Sequence, residues 1–439
     1  MEKCCIERCG IVDVRAPLPL DNRAFGLTGG SGVTIIRAYR TELAASDWQL
    51  GMFREHVGLA RFAYNWGLRR KIDVLSFNRL PISPIKIPSA IDLHRELNAL
   101  KQTHFRWMYD MSKCAPQEAL RNLDAAFKNF FKGRARFPRF KSRKDGAGSF
   151  RLTGAIHVRP GKIKLPRLGW VRLKENGYLP TKAHIISVTI SEHAGRWFVS
   201  LNVSENGPGP VAVSGPVVGV DRGLKSLAVL SDGSAVENPK ALSRYERKLK
   251  HLQRTVSRRR RGSSNRRKAR AALARLHLRI TNVRNDALHQ ATSRLARTKS
   301  VVVVEDLGVR GLMANHRLAK SIADAGWSEF VRQLGYKTAW YGSRLVVADR
   351  FYPSTRTCSL CGHIKESMPL SERSFCCDRC GRVMDRDLNA AVNLSRWPGV
   401  ARTLETPVEG GVQPAATSAQ PSCEAGTISL DRGPNRWMS

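Results

Sequence analysis

The run Val301-Val302-Val303-Val304-Glu305 constrains this chain more than any other five residues. Four consecutive β-branched side chains read as a strand, and a strand apolar at every position must be covered on both faces. Such coverage belongs to a parallel sheet layered with helices, so an α/β core is expected around it. The run ends in a carboxylate. A charge there is costly unless it binds a cation or reaches the mouth of the sheet.

Two other acidic residues stand at the ends of regular elements. Pro216-Val-Val-Gly-Val-Asp221 is a second apolar strand that delivers an aspartate. Gly223 permits a turn, a strand returns at Leu227, and Asp232-Gly233 opens the next turn. Asp385-Arg386-Asp387 leads into a helical run through Leu394, which sets Asp387 near a helix N-terminus. Singly, each is more readily a turn or cap residue than a catalytic one. Together they offer hard oxygen ligands for Mg²⁺ or Mn²⁺. Phosphodiester hydrolysis needs an activated water and a stabilised leaving oxygen, and two ions about 4 Å apart can supply both.

Charge points to the substrate. The chain carries 74 Lys and Arg against 36 Asp and Glu, a net charge of +38, which calls for a polyanionic partner. No apolar run approaches the ~20 residues that span a bilayer, and no secretory apolar segment follows Met1. Nucleic acid is therefore favoured over membrane, in a cytoplasmic setting. Residues 241–300 concentrate the excess, with 19 Lys or Arg against Glu246 and Asp286. Tyr245, Leu249, Leu252 and Val256, then Leu273, Leu276, Ile280 and Val283, keep helical spacing on either side of Arg258, Arg259, Arg260 and Arg261. Two antiparallel helices with a phosphate-facing basic turn fit this pattern. In residues 132–149, Arg139, Phe140 and Lys141 interleave ring and cation, which suits base stacking and phosphate contact. A solvated loop fits that segment equally well.

Cys358-x-x-Cys361 and Cys377-x-x-Cys380, each followed by glycine, have the spacing of a four-cysteine zinc ribbon. All four positions being protein thiolates, a structural Zn²⁺ is expected. Cys376 reads as a bystander. Cys4, Cys5 and Cys9 lack a partner set and fall in residues 1–31, expected to be a disordered extension. Residues 399–439, rich in Pro, Gly, Ser, Thr and Ala, are expected to be a disordered tail.

The length of 439 residues suggests about two to four domains. A strand spans the region 32–45. Ser46 and Gln49 then form a capping-box signature before a helix with Leu50, Phe53, Val57, Ala60 and Tyr64 on one face. A proline-rich loop covers 80–90, and another amphipathic helix aligns Leu120, Leu123, Phe127 and Phe130. Short strands dominate from Phe150 to Val203, with a hairpin turn at residues 192–195. A small β-barrel built from 32–45 and 132–206, with a helical unit 46–131 inserted, is the expected layout. The Gly- and Pro-rich stretch Asn206–Pro216 marks the boundary to the second half.

The segments GVDRGLKSLAVLSDG, VVVVEDL, WYGSRLVVADRFYPSTRTCSLCG and CDRCGRVMDRDLNAAVNL resemble TnpB, the accessory protein of bacterial insertion sequences related to type V CRISPR effectors. QEALRNLDAAFKNFFKGRARFPRFKSRK is similar to the same family, and the likeness covers roughly residues 32–398. The resemblance implies an RNase H-like (RuvC) nuclease core split in sequence over 216–350 and 383–398, with the zinc ribbon 351–382 inserted. It also implies a β-barrel wedge domain and a helical recognition lobe. Asp221, Glu305 and Asp387 fall on the family's catalytic positions, Asp387 being preferred to Asp385 because it stands two residues before Asn389. Asp385 is then expected to support the site from behind. The implied partners are a guide RNA and a target DNA, with an RNA-bound monomer expected. A guided repressor that no longer cuts and a strand-transfer transposase are the alternative readings. The presence of all three acids speaks against the former.

Overall fold

The computed structural model describes residues 33–401, except 82, 144–147, 208 and 370. The expectations for residues 1–31 and for the tail beyond 401 fall outside the described residues. Positions 399–401 form a helical turn, and Val400 is buried.

The first half pairs a sheet with helices. Strand β1 (Val33–Ala44) leads into α1 (Asp47–Phe77). Ser46 Oγ accepts the Gln49 amide while Gln49 Oε1 accepts the Ser46 amide, so the capping box forms as its residues dictate. Helix α2 (Ala90–Thr103), a 3₁₀ turn (Arg106–Asp110) and α3 (Cys114–Phe131) follow. Phe53, Leu59, Leu68, Leu120 and Leu123 are fully buried where α1 meets α3. The buried Lys71 ammonium pairs with Asp124 at 2.7 Å, and Asp124 also takes the Ala90 amide at 2.7 Å, which docks the start of α2.

Six strands complete the sheet: β2 (Ser149–Leu152), β3 (His157–Arg159), β4 (Lys162–Leu165), β5 (Gly169–Leu173), β6 (His184–His193) and β7 (Arg196–Gly207). The order is β2-β6-β7-β1-β5-β4-β3. β1 pairs with β7 up to Glu42↔Phe198 and then with β5 at Leu43↔Leu173, so one strand turns a corner between two stretches of sheet. The expected barrel is not closed among the described residues. Its end strands β2 and β3 offer four and three residues, and each pairs on one side only.

The second half centres on a five-stranded sheet, order β10-β9-β8-β11-β12. Its strands are β8 (Val218–Asp221), β9 (Ser226–Leu230), β10 (Ala235–Glu237), β11 (Val301–Glu305) and β12 (Arg344–Ala348). Between β10 and β11 run α4 (Ala241–Arg258) and α5 (Ser264–Thr298). Between β11 and β12 run α6 (Val309–Leu312), α7 (Ala319–Ala325) and α8 (Trp327–Tyr341). β11 is parallel to both neighbours, and Val301–Val304 are each 0% exposed. Val302 and Val304 pack with Leu288 and Leu295 of α5 and Phe330 and Leu334 of α8. Val301 and Val303 pack with Leu394 and Val400 on the other face. The two-faced coverage that four valines demand is met by helices from distant parts of the chain.

Beyond β12 lie the hairpin β13 (Ser374–Cys376) and β14 (Val383–Asp385), then α9 (Arg386–Ser395). α9 lies directly on β8. A Cβ on Gly219 would stand 2.0 Å from the Ala391 carbonyl oxygen and 2.4 Å from the Ser395 nitrogen, so only glycine permits this approach. No helix among the described residues is long and apolar enough to cross a membrane.

Candidate metal centres joined by one helix

The parallel register sets Val220 beside Val304, so the next residues, Asp221 and Glu305, leave the sheet together at one edge. α9, packed across β8, carries Asp387 in its first turn. These acids act on one another through their charges. Burial, then the carboxylates of Asp387 and Glu305, push the Asp221 carboxyl up to about 7 against the pull of Arg386 and Arg222. Burial also raises Glu305, opposed by Arg222. Such mutual repulsion is what a divalent cation would relieve, and oxygen donors suit Mg²⁺ or Mn²⁺.

Two arginines temper the cluster. Arg386 holds Asp387 Oδ1 at 3.2 Å. Arg222, buried at 7% exposure, donates to the carbonyls of Glu305 and of Trp327, the latter at 3.3 Å. Trp327 Nε1 in turn donates to Gly223 O at 3.3 Å, which pins the turn after Asp221. Burial lowers Arg222 to about 10, so it stays charged at neutral pH.

The cysteines form a tighter group. The sulfurs of Cys358, Cys361, Cys377 and Cys380 all lie within 4.8 Å of one another, the one such convergence of ligand atoms among the described residues. The backbone repeats itself around them. The Cys358 amide donates to His363 O at 2.8 Å and the Cys377 amide to Arg382 O at 2.9 Å. Gly362 and Gly381 donate back to the carbonyls of Cys358 and Cys377, and both adopt positive φ, at 74° and 69°. Four soft donors at this spacing fit tetrahedral Zn²⁺. Cys376 is exposed on β13, outside the group.

α9 connects the two centres. Asn389, fully buried, accepts the Ser359 amide at 3.0 Å and donates to Thr357 O at 2.7 Å. Asn393, one turn later, donates to Ser354 O at 2.7 Å and Thr357 O at 2.6 Å. Both side chains thus grip the backbone of the first cysteine knuckle while the same helix carries Asp387. Asp385 is exposed and serves as the N-cap, accepting the Leu388 amide at 3.0 Å. Sequence reasoning had no role for Arg222, Arg386 or Asn393. Asn393 alone carried a signal, a second asparagine one helical turn after Asn389 on an otherwise apolar face.

The two basic segments are not part of this edge. Arg139, Phe140 and Lys141 are exposed on the loop after α3, where Asn65 bonds both the amide and the carbonyl of Lys141. The Lys141 ammonium stands 3.9 Å from the centre of the Tyr64 ring, so that cation is already committed to an aromatic. Arg258 at the end of α4 and Arg259, Arg260 and Arg261 after it are exposed, and Arg261, Arg266, Arg267 and Arg270 line a concavity there.

A family model described as "Probable transposase" (OrfB_IS605) matches residues 199–316, and one described as "Cas12f1-like, TNB domain" matches 327–394. A third, "Helix-turn-helix domain", matches 35–76, a range that holds most of β1 and the single long helix α1. A Streptomyces pristinaespiralis protein named "Putative RNA-guided DNA endonuclease" is 38% identical over 82% of this chain and 88% of its own length. InsQ of Escherichia coli K12, given the same description, is 32% identical over 82% of this chain and 91% of its own. A mimivirus "TnpB-like protein L79" is 28% identical over 30% of this chain and 26% of its own.

Proposed function

We propose a function from a plain premise: this chain belongs to the TnpB family. On this reading it is an RNA-guided, divalent-metal-dependent DNA endonuclease of a transposable element. Residues 216–350 and 383–398 make the RuvC-like nuclease domain, 351–382 its zinc ribbon, and 46–131 the recognition lobe. What supports the proposal is that Asp221 and Glu305 end neighbouring parallel strands of the mixed sheet while Asp387, from a third distant segment, acts on Asp221 through its charge.

Asp221, Glu305 and Asp387 would hold Mg²⁺ or Mn²⁺, which supplies an activated water and neutralises the leaving oxygen. Arg222 keeps the ends of β8 and β11 in register, and Arg386 orients Asp387. Cys358, Cys361, Cys377 and Cys380 would hold Zn²⁺ in a structural role. The exposed arginines of the α4–α5 turn and of the loop at 132–143 supply phosphate contacts, whose affinity falls with salt. Guide RNA pairing reads the target sequence, and the protein acts as a monomer on that RNA.

The test is purification of the protein with its bound RNA, sequencing of that RNA, and exposure to matched duplex with Mg²⁺. Cleavage that is guide-matched and lost on chelation is expected. RNA-bound protein that never cuts across a range of flanking motifs would instead favour a guided repressor.

A further inference from the structure

Phe351 is 87% exposed, the most of any large apolar side chain among the described residues. It follows β12, whose last residue, Ala348, is the register partner of Glu305. The turn that bears it is tightly made. Asp349 Oδ1 accepts the Phe351 amide at 2.8 Å, and Asp349 O accepts the Tyr352 amide at 3.2 Å.

Both neighbours of Phe351 are anchored to the carboxylate segments. Arg350 pairs with Asp306, next to Glu305, at 2.6 Å. The Tyr352 hydroxyl donates to Asn393 O at 3.3 Å, on the helix that carries Asp387. A lone exposed phenylalanine is ordinary on a protein surface. A ring held out into water by a turn tied on both sides to the acidic edge is less so. Its flat face suits any nucleobase, because stacking does not depend on base identity.

We propose that Phe351 is a stacking platform for a base of the DNA strand that enters the carboxylate site, an inference that rests on the nuclease reading above. The ring takes the base nearest the edge and so steadies the phosphate over Asp221, Glu305 and Asp387. Hydrogen-bond readout plays no part, so the effect is sequence-tolerant.

The experiment uses the full chain with its co-purified RNA and compares Phe351→Ala, Phe351→Leu and Phe351→Trp. Cleavage at subsaturating DNA should fall about ten- to hundredfold in the Ala and Leu variants and recover in Trp. Zinc content and melting temperature should not move. In an Asp221→Ala background, 2-aminopurine placed beside the cleavage position should be quenched with Phe or Trp at 351 and bright with Ala or Leu. Equal fluorescence with Phe and Ala, or full rescue by Leu, overturns the platform. Quenching by Phe351 in a protein whose parent never cuts supports stacking while the nuclease reading falls.

Discussion

The two candidate metal centres share one helix but differ in how their ligand atoms are held and charged. Around the cysteines, paired backbone turns bring four sulfurs together. The Cys380 amide, donating to its sulfur, draws Cys377 down to about 6, while against the pull of the Arg382 backbone burial and the neighbouring sulfurs push Cys380 up to about 12, so the four thiols share charge unequally. Around the carboxylates, burial and like charge hold Asp221 up at about 7, and arginines occupy the remaining valence. A structural site is built to close, whereas a reactive one is left under electrostatic tension that an exchangeable ion relieves. Asn389 and Asn393, on the helix that carries Asp387, hold the backbone of the first cysteine knuckle.

The largest effect should come from the reactive centre. Asp221→Ala, Glu305→Ala or Asp387→Ala should each lower DNA cutting by about a thousandfold or more, since each removes an ion ligand worth several kcal/mol in the transition state. RNA retention on purification should remain near that of the parent. Robust cutting by Asp221→Ala would break the comparison at its root.

Cys358→Ser or Cys377→Ser should release zinc, measurable by metal analysis, and lower the melting temperature, because binding free energy at such sites is folding free energy. Cutting should be lost with it through α9. An unchanged cutting rate in zinc-free protein would show that the centres are independent.

Asn389→Ala separates the two. Zinc should stay bound, while cutting falls about ten- to hundredfold, as when a group orienting a metal ligand is removed. Loss of the buried bonds to Ser359 and Thr357 should cost about 1–3 kcal/mol of stability, read by denaturant melts.

The smallest effect is a pH dependence. Asp221 titrates near 7, above the ordinary carboxylate range, so ion binding must displace a proton at neutral pH and below. Calorimetric Mn²⁺ affinity should rise as pH increases through about 7 and then level off. The sign for stability is opposite. With its folded pKa raised, Asp221 favours the metal-free fold at low pH and loses that contribution as pH climbs towards 7. Asp221→Asn should therefore stabilise the metal-free protein at pH 8 and leave it nearly unchanged at pH 4. An affinity flat from pH 6 to 8 would remove the tension from the account.

Much of this was legible in the chain itself. Val301–Val304 required a strand covered on both faces, Ser46 and Gln49 announced the start of α1, and the cysteine spacing announced two knuckles. Family kinship was also readable from short motifs spread over most of the length. These signals are local, since periodicity, capping and ligand spacing are properties of a few adjacent residues.

Tertiary structure alone decided the rest, because it depends on residues far apart meeting. The strand β1 could be read, but not that its partners change from β7 to β5 and leave the sheet open. The family motif preferred Asp387 to Asp385, but did not say what each side chain does in the fold. Folding makes Asp385 the exposed N-cap, while the charge of Asp387 is felt by Asp221. Arg222 drew no notice as a letter, because a buried donor acquires meaning only from the carbonyl it finds.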